Sequence, residues 1–124
     1  MKTYDDIVLV PRLLRDKVPL LLPDGSGIDV RDTRADILRA HGVAFESHQD
    51  DGKGTYSMTC EDGLQANVTS DLATSVRLFK KTPGRSPFSI QLKGYNLAVP
   101  IKRVDLEALL GKPDETKLDT WPPR

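Results

Sequence analysis

Few residues in this chain have the type and spacing to do chemistry. His41 and His48 stand seven apart, which is not the spacing of a helical metal pair, and no cysteine lies near them. His41 closes the run "DTRADILRAHG", where a cation complements the negative end of a helix dipole. His48 lies in "ESHQDD", so Ser47, His48 and Asp50 have the types of a hydrolase triad. Such triads are assembled from distant segments on a scaffold, and an adjacent cluster of this kind reads as a polar loop. Cys60 alternates with Tyr56 and Met58 and is expected as a small buried hydrophobe, with Glu61 and Asp62 raising its thiol pKa. Asp50-Asp51 lacks the alternating ligands and central glycine of a calcium loop. Gly25 and Gly27 are followed by the strand-like Ile28-Asp29-Val30 rather than by a helix with a lysine in register, so they read as turn glycines. No nucleotide fingerprint, zinc spacing or aromatic-plus-basic face for nucleic acid occurs. The expectation is a protein with no catalytic residue, no cofactor and no metal.

The elements that must position these residues follow from periodicity. Thr3 to Lys17 reads as a short helix broken at Pro11, with Ile7, Val8 and Leu9 as its apolar patch. A second helix is expected from about Arg34 to His41, with Thr33 and Asp36 as a capping box and Gly42 as a left-handed stop. "VAFESHQDDGKG" then reads as a loop. After it the period changes to two. In "TYSMTC" Tyr56, Met58 and Cys60 share one face; in "LQANVT" Leu64, Ala66 and Val68 do; and "TSVRLFK" turns Val76 and Leu78 inward. "EDG" and "SDLA" supply the turns, so three antiparallel strands form a meander. "FSIQL" reads as one more strand, with Phe88, Ile90 and Leu92 inward. "PIKRVDLEALLG" reads as a helix from about Ile101 to Leu110 that buries Val104, Leu106, Leu109 and Leu110. The tail "KLDTWPPR" reads as mostly irregular.

The helix stop "LLGKPDET" repeats punctuation already used 69 residues earlier. Laying residues 28–47 over 97–116 aligns Val30 with Val99, Arg34 with Arg103, Asp36 with Asp105, Gly42 with Gly111 and Glu46 with Glu115. Either one unit is used twice or two capped helices of similar length coincide. Both readings give a single α+β domain over 1–124, an antiparallel meander sheet of four or five strands packed with two or three helices.

Composition bounds the function classes. Eighteen basic and eighteen acidic residues cancel, so no global field favours nucleic acid or an anionic membrane. Residues 41–80 hold six acids against three bases, and 81–124 hold eight bases against five acids. A single cysteine excludes an internal disulfide and fits a reducing compartment. Charges interrupt the apolar runs of the N-terminal stretch, which has no signal-peptide core. A cytoplasmic protein is expected, with no membrane partner.

Residues 87–116, "PFSIQLKGYNLAVPIKRVDLEALLGKPDET", resemble a motif of small bacterial immunity proteins, in which a strand of the "PFgi.L" kind precedes a helix ending in "lGkP". "YDDIV" and "DGLQANV" are similar to segments of pyocin-type and other toxin-neutralising immunity proteins. The helix–glycine–proline unit also resembles tandem β-lactamase inhibitors and small lipoproteins of outer-membrane assembly. Those are exported, and this chain lacks their signal sequence and lipid-acceptor cysteine. The resemblance to immunity proteins implies a non-enzymatic protein that binds one cognate toxin. The acidic residues Glu46, Asp50, Asp51, Glu61 and Asp62 are the candidate interface, in two loops expected at one end of the sheet. Trp121 is a second candidate contact, since aromatic residues are enriched at binding hot spots. The rival class is an interaction or inhibitor domain with a different partner, and a third is an enzyme with an unrecognised site.

Overall fold

A computed structural model describes residues 3–14, 17–49, 54–80, 87–111 and 120–121. The chain opens with two strands, β1 (Thr3–Tyr4) and β2 (Asp6–Leu9), and a 3₁₀ turn at Pro11–Leu13. This corrects the helix expected over Thr3–Lys17. The apolar run alternates in burial along β2, with Ile7 and Leu9 fully buried and Val8 half-buried. The period of two wins because both strands find partners far along the chain. Proline at the first position of the 3₁₀ turn loses no hydrogen bond, since its missing N–H would be unsatisfied there.

Next come β3 (Pro19–Leu21) and β4 (Gly27–Asp29), an antiparallel hairpin. Its loop is closed by Asp24 Oδ1 accepting from the Ser26 amide at 2.9 Å, with Gly25 at φ +90°. A 3₁₀ turn (Val30–Asp32) leads into helix α1 (Ala35–Ala40), shorter than but centred on the predicted span. The capping box does not form. Thr33 is buried and donates its hydroxyl to the Val30 carbonyl at 2.8 Å, while Asp36 is exposed and pairs with Arg34 Nε at 2.9 Å. The Ala35 amide instead donates to the Tyr56 hydroxyl, 3.1 Å away. Tertiary packing has replaced a local cap.

The predicted meander is present, with one strand more. β5 (Glu46–Gln49), expected as loop, pairs with β6 (Thr55–Cys60), then β7 (Leu64–Thr69) and β8 (Leu72–Phe79), all antiparallel. Met58, Cys60, Leu64, Ala66, Val68, Val76 and Leu78 are buried, as their alternation predicts. Asp62-Gly63 turns the first pair, with Gly63 at φ +130°. The second turn is Ser70-Asp71, both left-handed at φ +52° and +66°, a type I′ geometry whose twist matches the flanking strands. β2 adds to the far side of β8, so the order is β6–β7–β8–β2 rather than that of a closed meander.

The last segment carries β9 (Ser89–Leu92), β10 (Tyr95–Leu97), β11 (Ile101–Lys102), helix α2 (Arg103–Leu110) and β12 (Thr120–Trp121). "FSIQL" is a strand with Phe88 and Ile90 buried, but it does not extend the meander. It pairs with β3 through Leu20↔Ile90, which gives a four-stranded sheet of order β10–β9–β3–β4. β1 and β11 form a separate pair, and β12 lies parallel to the edge of β2. Twelve described strands in sheets of six, four and two thus replace the single sheet of four or five, and the architecture is mostly antiparallel sheet with two short helices. The reason is pairing partner, which alternation does not encode.

Pro100 precedes a strand rather than opening the helix, and α2 starts at Arg103. Its buried residue is Leu106, whereas Val104, predicted inward, is 64% exposed. Gly42 and Gly111 end the two helices at φ +72° and +81°. The aligned helices bury different positions, Leu38 in the first and Leu106 in the second, although the alignment matches Leu106 with Ile37. The sheets and helices share one core cluster running from Tyr4, Ile7 and Leu9 through Leu20, Val30, Leu38 and Val76 to Ile90, Val99 and Leu106.

Candidate functional site

Strand register decides which candidate residues meet. Glu46 lies opposite Thr59, and the β6–β7 turn that carries Glu61 and Asp62 begins one residue beyond Cys60. Three of the predicted acids therefore converge at one corner of the six-stranded sheet. With Ala44, Phe45 and Thr59 they line a shallow depression of about 290 Å³. All three carboxylates belong to exposed residues, so each stays hydrated and available to a partner. Glu46 reaches this corner from a strand, not from the loop expected for it.

Asp50 and Asp51 lie outside the described residues. Gln49, the last described residue before them, pairs with Tyr56 at the start of β6, while Glu61 and Asp62 follow the end of β6. The expectation that both acidic segments lie at one end of the sheet is met by Glu46, and its part on Asp50 and Asp51 falls outside the described residues. Trp121 is placed by its backbone, in β12 opposite Leu9, on the sheet edge far from Glu46.

On the other face of β5 a second depression, about 230 Å³, is lined by Ala35, Arg39, Ser47 and Tyr56. Ser47 opposes Met58 on the core side of the sheet, as strand alternation requires. The Arg39 guanidinium stacks over the Phe45 ring at 5.3 Å, so the two depressions are joined by one cation–π contact. Sequence reasoning left Arg39 and Tyr56 out of the site. Pairing of β5 with β6 sets Tyr56 beside Gln49, and α1, tied to the Tyr56 hydroxyl through the Ala35 amide, brings Arg39.

The remaining chemistry-bearing groups are engaged structurally. Ser47 and His48 are adjacent on a strand and point to opposite faces, so they do not converge as a triad. His41 Nδ1 lies 3.0 Å from Asp24 Oδ2 and ties the end of α1 to the β3–β4 turn. The Ser26 amide and then His41 hold the Asp24 carboxyl below its ordinary pKa. Burial, followed by Asp62, pushes the Cys60 thiol up to about 11, so of the two acidic neighbours expected to raise it Asp62 does. On the outer sheet face Arg77 Nε sits 2.9 Å from both Asp6 carboxylate oxygens, and its Nη1 donates to Gln65 at 3.1 Å. That hydrogen-bonded carboxylate raises the Arg77 pKa above its ordinary value. Among the described residues no group of three or more His, Cys, Asp or Glu is placed to hold a metal ion. Among them, too, no helix is long and apolar enough to cross a membrane.

The arrangement is an acidic corner beside an edge strand whose outer side has no strand partner among the described residues. No family model, curated protein or solved structure matches the chain, so the site is read from its own geometry.

Proposed function

We propose that the chain is a cytoplasmic immunity protein that binds a cognate bacterial toxin and neutralises it by protein–protein contact, without catalysis or cofactor. The observation that carries this reading is the convergence of Glu46, Glu61 and Asp62 from two separate segments around one depression. A patch of one sign on a molecule of zero net charge is suited to steering a basic partner, such as a toxin domain that attacks nucleic acid. The resemblance of residues 87–116 to immunity proteins supports the same class.

The repeat belongs to this reading. Each unit is a hairpin, a short connection, a helix and a left-handed glycine: β3–β4, the 3₁₀ turn, α1 and Gly42 in the first, and β9–β10, β11, α2 and Gly111 in the second. Central strands of the two hairpins pair antiparallel at Leu20↔Ile90, and the aligned Val30 and Val99 are both fully buried. This arrangement supports one unit used twice about a pseudo-twofold axis.

The test is co-expression with the product of the adjacent gene, with growth and co-purification as readouts. A stoichiometric complex that restores growth is the expected result. Neither complex nor rescue, with both proteins folded and expressed, overturns the reading.

A further inference from the structure

We infer that β5 is a docking edge which accepts an extended segment of a basic partner protein as an added strand of the six-stranded sheet. β5 is the last strand of that sheet, and among the described residues no strand pairs with its outer side. Every second residue of an edge strand turns its N–H and C=O outward, and an added strand satisfies them. Glu46, Ser47 and His48 are all exposed, so among the described residues none covers this edge.

Specificity in strand addition comes from pockets that receive alternate side chains of the guest, and β5 has one depression on each face. The outer one presents Glu46, Glu61 and Asp62 and fits a lysine or arginine. The core-side one presents the Ser47 hydroxyl and Arg39 and fits a short side chain with an acceptor oxygen. A guest alternating basic and hydroxyl residues satisfies both at the two-residue period of a strand. Charge selects this occupant over a second copy of the chain, because β5 (Glu46–Gln49) carries no lysine or arginine to set against the acidic corner, whereas a basic guest does.

The inference deepens the acidic-patch reading and rests on it for the partner's charge, but its test is separate. The probe is the octapeptide (Lys-Thr)₄, titrated into the ¹⁵N-labelled protein, with (Glu-Thr)₄ as control. Two further versions carry backbone N-methyl groups on every lysine or on every threonine. Expected are shifts confined to residues 44–49 and 56–62, amide protection in β5, no binding of the glutamate peptide, and loss of binding for one N-methylated version only. Glu46→Lys weakens binding about tenfold, the change worth about 1.4 kcal/mol. Equal binding of both N-methylated peptides means surface adsorption and overturns strand addition. So does absence of any shift, or β5 protection that rises with protein concentration alone, which makes a second copy the occupant. Peptide binding without toxin rescue overturns the toxin reading alone, and rescue without peptide binding overturns strand addition alone.

Discussion

At the scale of single residues, burial and hydrogen bonding determine reactivity here. Cys60 is 2% exposed and its thiol is pushed up to about 11, so the thiolate is scarce at neutral pH. Alkylation by iodoacetamide at pH 8 is expected to be at least about a hundredfold slower in the native protein than in urea; comparable rates would show that Cys60 is accessible. Asp24 has the opposite sign. Its carboxylate form accepts from the Ser26 amide and from His41, which lowers its pKa from the ordinary 3.8. The stability it contributes is therefore complete above that value and is lost as pH falls through the lower folded value. Asp24→Asn should flatten the fall in urea midpoint between about pH 5 and pH 2, while an unchanged slope would remove Asp24 from the acid response. These tendencies are partly legible in the sequence. The alternation that buries Cys60, and Asp62 two residues on, announce a raised thiol pKa, whereas the Asp24–His41 contact spans 17 positions and has no local signal.

At the scale of elements, the face a helix buries is decided by what it meets. Leu106 is fully buried and Val104 is 64% exposed, though both were legible only as apolar positions of one short helix. Leu106→Ala should cost about 2–4 kcal/mol in urea denaturation, by lost transfer energy and a residual cavity. Val104→Ala should stay within about 0.5 kcal/mol. Reversed magnitudes would mean that α2 packs through another face. The β7–β8 turn makes a different demand. Ser70 and Asp71 both hold positive φ, which Asn-Gly adopts with far less strain. Ser70→Asn with Asp71→Gly should stabilise by about 1 kcal/mol, and a loss of stability would contradict the I′ geometry. The meander was readable because each of its strands is long enough to show a period of two. β1, β11 and β12 are two residues each and show no period at all. The N-terminal apolar run suited helix and strand alike until long-range pairing chose.

At the scale of the whole molecule, zero net charge conceals a polarity between an acidic corner and a more basic C-terminal half. A local patch of this kind acts mainly on encounter. Reversing Glu61 and Asp62 to lysine should slow association with the proposed basic partner about tenfold at low salt, and the difference should shrink as ionic strength rises past 0.15 M, where screening acts within about 8 Å. Stopped-flow association rates across a salt series measure this, and a salt-independent rate would exclude steering from this corner. The sequence by itself determined what is local: the alternation of β6 to β8, the glycine that turns Asp62-Gly63, the stops at Gly42 and Gly111, and the buried fate of Cys60. Only the tertiary structure decided what depends on partners distant in the chain. It assigned "FSIQL" to a sheet with β3, made strands of the N-terminal segment, and brought Glu46 to Glu61 and Asp62 while setting Arg39 and Tyr56 on the other side of β5. The physical reason is that side-chain period reports which face of a segment is buried, whereas the identity of the neighbour is selected by joint burial and register across the whole core.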